Sequence, residues 1–248
     1  MTTAERSSIL SLIREQLVYQ QYQPIVELNT QRIFGYETLM RYRSNLPPDE
    51  LFRLAAEQRS LYELDTCGIE NSLKTDFGGA WDRDGPTVFV NVFPSTLLHD
   101  AFDAWLDGLL GRTNARPSVV VFEINEAAGE EALWRTEALQ RAIAALRSRG
   151  FRIALDDVGD GVANIRKIVE FVPDYIKLSS YFSHRLSFHA RKQRLVSLFL
   201  EYCGHESRLI LEGIEYDSDM ECAIRLGVSL GQGYRLGKPG ELERCAAG

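Results

Sequence analysis

Residues 151–161 read FRIALDDVGDG, an apolar run that delivers two adjacent carboxylates, Asp156 and Asp157, into a loop flanked by Gly159 and Gly161. Neighbouring residues of a strand face opposite ways, so both acids reach one site only where the strand ends and the chain turns, which the glycines permit. Taken alone, an Asp-Asp-x-Gly stretch reads first as a solvated turn and only second as a metal or acid/base site. Its weight comes from repetition: similar strands recur along the chain, each ending in an acid, an amide or a lysine.

Working outward, strand and helix alternate on both sides of this stretch. Upstream lie strand 87–93 (TVFVNVF), helix 95–110, strand 118–125 (SVVVFEIN) and helix 129–149; downstream lie helix 162–171, strand 174–180 (DYIKLSS), helix 184–204, strand 208–214 (RLILEGI), helix 217–226 and strand 228–236. Two earlier strands, Leu17–Leu28 and Arg32–Arg43, are separated only by Asn29, Thr30 and Gln31. So short a gap permits a hairpin and excludes a parallel pair, which needs a crossover of about a dozen residues. From Pro48 to about Phe77, Leu51, Phe52, Leu54, Ala55, Leu61, Leu64 and Ile69 are spaced for one buried helical face, in one long helix or two short ones.

Eight strands with intervening helices make a closed barrel or a doubly wound sheet. The polar residues decide. Strand ends carry Glu37, Asn91, Glu123, Asp156, Asp157, Lys177, Glu212 and Gln232, drawn from seven different strands. Only a ring lets all seven converge, so the fold predicted is α/β, a modified TIM (β/α)8 barrel with an antiparallel first strand. No linker or repeat divides the chain, which reads as one domain: a leading helix over 1–16, the barrel over 17–239 and a tail over 240–248.

Composition narrows the function. A net charge of −7 argues against duplex nucleic acid as partner but leaves room for a small phosphate ligand at an acidic, cation-filled site. Cys67, Cys203, Cys222 and Cys245 form no CxxC and no evident pairing, which fits a reducing cytoplasm. The start, MTTAERSSILSLIREQL, carries Glu5 and Glu15 and has no long apolar core, so it reads as a helix capped by Ser7 or Ser8, not as a signal peptide or membrane span.

Five of the strand-end groups are carboxylates, and none is histidine or cysteine. Hard oxygen donors favour Mg²⁺ or Mn²⁺, with Ca²⁺ also accommodated, over zinc. His99, His184, His189 and His205 fall on predicted helices or near their ends and read as surface or packing residues. So many acids share a pocket only with cations or raised pKa values, which makes two metals plausible and phosphoester hydrolysis the matching chemistry. Lys177 is placed to orient the attacking water, and Arg41, four residues beyond Glu37 on the same strand face, to grip a phosphate.

With these residues in view the chain resembles the EAL domain family of bacterial cyclic di-GMP phosphodiesterases. The match runs from about Gln23 to Pro239 through QPIVEL, GYETLMRY, FVNVFPSTL, VFEINE, IALDDVGDG, DYIKLS, LEGIE and GQGYRLGKP, in the family's order. The resemblance implies a barrel with an antiparallel first strand and a site that hydrolyses cyclic di-GMP to the linear dinucleotide. Carried over, Glu37, Asn91, Glu123 and Asp156 would hold one metal and Asp157 the second. Lys177 would position the water, Glu212 would act at the metals or as base, Gln232 would support that shell, and Arg41 would face the ligand. Glu126 matches a family glutamate that steadies the loop after Asp157.

Three departures stand out. Thr38 replaces the signature alanine, with its side chain expected to point away from Glu37. Asp160 stands where a threonine is usual, ahead of VANI in place of a serine-rich stretch, and offers a substitute carboxylate. Ser179 occupies the position of an aspartate that serves the second metal, and a hydroxyl cannot replace that charge. The expectation is a cyclic di-GMP protein whose hydrolysis is weakened or lost, with a non-catalytic receptor or interaction module as the alternative. A homodimer or a regulatory protein partner is compatible with either.

Overall fold

The expected hairpin forms from β1 (Val18–Glu27) and β2 (Arg32–Tyr42), antiparallel over their whole length, with a register shift between Ile25 and Val26. Its turn is closed by Gln31, whose side chain donates to the Leu28 carbonyl at 2.7 Å. The computed structural model describes residues 9–43, 47–75, 85–125, 129–159 and 165–242. Beyond the hairpin follow β3 (Thr87–Val92), β4 (Val120–Ile124), β5 (Arg152–Val158), β6 (Tyr175–Leu178), β7 (Arg208–Leu211) and β8 (Leu230–Gly231). The strands close into a barrel in sequence order. β1 is antiparallel to both its neighbours, β2 and β8, and every other adjacent pair is parallel.

The helices are α1 (Ile9–Arg14), α2 (Pro48–Glu57), α3 (Leu61–Lys74), α4 (Pro94–Leu97), α5 (Phe102–Leu110), α6 (Glu137–Ser148), α7 (Ile165–Phe171), α8 (Ser180–Ser183), α9 (Ala190–Cys203) and α10 (Asp217–Leu226). The serines at 7 and 8, expected to cap the first helix, lie outside the described residues, as does Cys245. Gly240, at the start of the expected tail, pairs with Tyr22 of β1 through N–H donors in both directions (2.8 and 3.1 Å).

Several predicted helices are broken, each for a local reason. The 95–110 helix divides at His99, whose Nδ1 accepts the Ala101 N–H at 3.2 Å and starts a new turn. Over 129–149 only α6 is an α-helix, because Thr136 caps it by accepting the Leu139 N–H at 3.2 Å. The 184–204 helix gives way to α8, a 3-10 turn at Leu186–Phe188 and α9. There Asp219, buried on α10, accepts the N–H groups of Arg185 and Ser187 at 3.1 and 2.8 Å, a tertiary acceptor that competes with helix continuation. The predicted strand 228–236 shrinks to two residues, because the chain turns back at Gly233. A Cβ there would lie 2.2 Å from the Ile214 backbone nitrogen.

The parallel strands are buried on both faces, which is why they read as nearly continuous apolar runs. Val88, Val90, Phe122, Leu155 and Ile176 face outward into the helix layer. Ile25, Phe89, Val121, Ala154, Tyr175, Ile210 and Leu230 form a separate cluster that fills the barrel lumen, with Phe34 packed against it.

Candidate metal centre at the barrel mouth

The lumen cluster explains how the polar residues converge. Side chains at i and i+2 of a strand share a face, about 6.6 Å apart along the strand. Two residues beyond Phe89, Val121, Ala154, Tyr175, Ile210 and Leu230 stand Asn91, Glu123, Asp156, Lys177, Glu212 and Gln232. Because β3 to β8 run parallel, each plug residue is followed by a polar residue one layer higher, at the carboxyl-terminal mouth. Glu37 joins from β2, where it pairs with Phe89 in register.

Asp157 needs a further device. The strand does not end at the two acids, as the sequence reading required, but continues to Val158 through a register shift against β6 between Leu155 and Val158. Asp157 takes φ of 50°, in the left-handed region that Asp tolerates better than most residues. This bulge inserts one extra residue, so Leu155 and Val158 both pack into the outer core while adjacent carboxylates reach the same site.

The result is two overlapping groups of acids. Carboxylate oxygens of Glu37, Glu123 and Asp156 lie within 4.8 Å of one another, and so do those of Asp156, Asp157 and Glu212. Asp156 belongs to both. Glu212 therefore groups with Asp157, which the carried-over roles left open.

At the centre sits Lys177, fully buried, its Nζ 3.2 Å from Glu37 Oε2, 3.0 Å from Glu123 Oε1, 2.9 Å from Asp156 Oδ1 and 3.0 Å from Glu212 Oε1. The acids thus share the pocket around an internal cation as well as through shifted pKa values. Burial would lower the Lys177 pKa, but Asp156, Glu123, Glu212 and Glu37 together hold it well above the usual lysine value. For Glu37, burial pushes upward, yet the Lys177 charge and hydrogen bonds from Gln232, Lys177 and Asn91 win and keep it low. Glu123 and Glu212 go the other way. For both, burial combined with the neighbouring carboxylates outweighs Lys177 and raises them well above the carboxylate range.

Around this cluster, Gln232 Nε2 donates to Glu37 Oε2 at 2.6 Å and to Gln23 Oε1 at 3.2 Å, while Gln23 in turn donates to the Gly237 carbonyl. Asn91 Nδ2 donates to the Thr38 carbonyl at 3.1 Å. Thr38 does point away from Glu37: its hydroxyl donates to the Phe89 carbonyl at 3.0 Å and accepts from Ser72 at 2.9 Å. A cavity of about 520 Å³ brings Arg41 together with Glu37, Asn91, Asp156 and Asp157, and a second of about 240 Å³ lies against Glu37, Glu212, Gln232 and Tyr234. Arg41 is steadied by donating to Gln21 Oε1 and to the Met40 carbonyl, both at 2.9 Å.

Ser179 is buried at the start of α8. Its N–H donates to the Val158 carbonyl at 3.2 Å, and among the described residues its hydroxyl has no hydrogen-bond partner. Glu126 and Asp160 lie outside the described residues. None of the four histidines enters the cluster; His99 stacks on Tyr62 with centroids 3.8 Å apart. The donor set suits hard divalent cations: every grouped ligand atom is a carboxylate oxygen, and Gln232 Oε1 is a buried acceptor that no described donor satisfies.

Two residues escaped the sequence reading. Gln23 supports Gln232 from β1, where the chain runs in the opposite direction, so the mouth residue precedes its plug residue Ile25 by two positions instead of following it. Asp65, on α3, is buried and lines the larger cavity. Its signal was an acid among the buried positions of the helix, beside Leu64, Ile69 and Leu73.

Comparison with known proteins agrees with this architecture. The family model described as EAL domain matches residues 6–239. The cyclic di-GMP phosphodiesterase RocR of Pseudomonas aeruginosa is 28% identical over 223 residues, covering 88% of this chain and 56% of that protein. The blue light- and temperature-regulated antirepressor BluF of Escherichia coli is 24% identical and is covered to 53% by a match spanning 88% of this chain. The chain thus spans little more than half the length of these relatives. Among solved structures, the manganese and cyclic di-GMP complex of Klebsiella pneumoniae BlrP1 superposes with a TM-score of 0.77 at 26% identity, over 91% of this chain and 56% of that one.

Proposed function

The chain belongs to the EAL domain family, and from that premise we propose that it binds cyclic di-GMP and hydrolyses it to linear pGpG at a rate held down by Ser179. The observation that carries the reading is the pair of carboxylate groups sharing Asp156, with two cavities that both reach Glu37 beside them. Glu37, Asn91, Glu123 and Asp156 would hold one Mg²⁺ or Mn²⁺, and Asp157 with Glu212 the second. Bound there, two ions supply an activated water and stabilise the leaving oxygen. This chain's own groups do the rest. Lys177 positions the attacking water, Glu212 acts at the ions or takes the water's proton, and Gln232 fixes the Glu37 carboxylate through their 2.6 Å hydrogen bond. Arg41 grips a phosphate. Glu126 would steady the loop after Asp157, as the family pattern implies, and Asp160, which departs from that pattern, would offer a substitute carboxylate.

A second reading, a receptor that binds without hydrolysis, is favoured by one feature. Ser179 brings an uncharged, enclosed hydroxyl to the position of a ligand carboxylate. Either way the barrel domain over 17–239 would work in a reducing cytoplasm, as a homodimer or with a regulatory protein. Among the described residues no helix is long and apolar enough to cross a membrane.

The test incubates the unmutated protein, Ser179→Asp and Ser179→Asp/Asp157→Ala with cyclic di-GMP and Mn²⁺ and follows pGpG by chromatography, with calorimetry for binding. We expect binding by all three, slow turnover by the unmutated protein, a gain of about tenfold or more in Ser179→Asp, and loss of that gain when Asp157 is removed. Fast turnover by the unmutated protein would discard both the Ser179 argument and the receptor reading. No binding with Mg²⁺, Mn²⁺ or Ca²⁺ would sink the proposal altogether.

A further inference from the structure

At the end of the lumen opposite the metal centre, Arg152 and Arg208 stand two residues before the plug residues Ala154 and Ile210. Both side chains therefore fall on the lumen face, one layer below the plug. Between their strands runs β6, where Tyr175 is in register with Arg208. Phe34 completes this floor: the Arg208 guanidinium lies over its ring, 4.4 Å from the centroid, and the same ring is 6.0 Å from that of Tyr175.

Neither guanidinium has a carboxylate partner among the described residues. Arg152 is exposed and donates to the Tyr175 hydroxyl at 3.1 Å. Arg208 is half-buried, and an aromatic face attracts the cation while leaving its in-plane N–H groups without acceptors. Acids at this end of the strands are engaged elsewhere. Asp174 accepts the Ile153 N–H at 2.9 Å and faces Arg147 at 3.8 Å, and Glu27 accepts the Thr30 hydroxyl at 3.1 Å. Tyr175 is the sharper observation: it is 2% exposed, its oxygen accepts from Arg152, and among the described residues nothing accepts its proton. A buried phenol ordinarily has an acceptor. Three neighbouring donors, two of them cationic, thus lack one.

We propose that the amino-terminal mouth of the barrel is an oxyanion site, where Arg152, Arg208 and the Tyr175 hydroxyl donate to one phosphate or carboxylate group of a ligand entering from solvent. β5 and β7 lie two strand spacings apart, about 9.6 Å, which two arginine side chains span around a single anion held below the phenol. The four residues from Arg152 to Asp156 set that anion about 13 Å from the acids, with the apolar plug between. A chain of net charge −7 can therefore hold an anion here away from its own carboxylates. The site is separate from the metal chemistry and stands or falls apart from the cyclic di-GMP reading.

The experiment follows the arginine side-chain Nε–H signals by NMR while the metal-free protein is titrated with inorganic phosphate or with succinate, at constant ionic strength held with chloride. Without divalent cations the acids of the other mouth repel both probes. The Arg152 and Arg208 signals, assigned by their loss in Arg152→Gln and Arg208→Gln, are expected to shift together and saturate in the low millimolar range. Saturation by either probe supports the site, and the tighter of the two tells phosphate from carboxylate. Arg208→Gln should raise the half-saturating concentration about tenfold or more, and Tyr175→Phe about threefold, because the first loses a charged donor and the second a neutral one. Shifts that never saturate with either probe, or a half-saturation unchanged in both variants, overturn the site. Should Arg208→Gln not melt cooperatively, Arg152→Gln, at an exposed position, takes its place with the same expected loss, and unchanged affinity there overturns the site.

Discussion

Inside the barrel, two layers only two residues apart on the same strands are held by opposite physics. The lower layer, Ile25, Phe89, Val121, Ala154, Tyr175, Ile210 and Leu230, is closed by packing; Phe89 and Tyr175 meet edge to face with centroids 5.1 Å apart. The upper layer is closed by charge, with Lys177 inside 3.2 Å of four carboxylates. The plug keeps water from rising through the lumen, so charges above it interact in a low-dielectric floor where a misplaced partner costs more than it would in water. The difference teaches that the lower layer specifies the fold, while the upper layer stores a cluster that folding alone would not favour.

The sharpest way to break this contrast is Lys177→Met. It removes the only cation in contact with Glu37, Glu123, Asp156 and Glu212 among the described residues and leaves four buried acids facing one another. In metal-free buffer the variant should lose about 3 to 5 kcal/mol, as when one partner of a buried ion pair is deleted. Millimolar Mg²⁺ or Mn²⁺ should restore much of that loss, because divalent cations then supply the missing positive charge. Denaturant titration with and without metal checks it. Unchanged metal-free stability would mean that the upper layer is not charge-limited.

Phe89→Ala probes the other layer. Phe89 is fully buried and touches Phe34 and Tyr175, so truncation should cost about 3 to 4 kcal/mol through lost burial and a residual cavity. Metal should return no more stability to this variant than to the unmutated chain. A metal-specific rescue of Phe89→Ala would show that the layers are not separable.

Much of this arrangement is legible in the sequence because parallel strands repeat one rule. FVN, VFE, ALD, YIK, ILE and LGQ each place a plug residue and, two positions on, a mouth residue, so the closed ring and its polar rim follow from spacing. What spacing does not show is backbone geometry or partners drawn from distant elements. The Asp157 bulge depends on how β5 pairs with β6, and Gln23 is hidden because β1 runs the other way. The helix breaks after Ser183 depend on Asp219 of α10, more than thirty residues away. Lys177 looked like a water-positioning group, and its contact with four acids emerged only when the ring closed. Asp65 falls in an amphipathic stretch whose reading rested on the apolar positions alone.

The smallest expected effect comes from Asp65 and tests whether charge is stored beyond the upper layer. Its carboxyl is pushed up to about 7 by burial, from 3.8. An acid whose folded pKa is raised binds a proton in the native state that the unfolded chain has already released, so stability falls as pH rises between the two values and levels off above the folded one. From pH 5 to pH 7 this group should cost the unmutated protein about 2 kcal/mol. Asp65→Asn, which keeps an oxygen to accept the Phe93 N–H, should lack that portion of the pH dependence, so the two proteins converge at low pH and separate as pH rises. Paired urea titrations across that window provide the measurement, and the difference between the two proteins isolates Asp65 from the acids of the mouth. Parallel curves for both would show that Asp65 is ionised and compensated at pH 5, and that it stores no destabilising charge on α3.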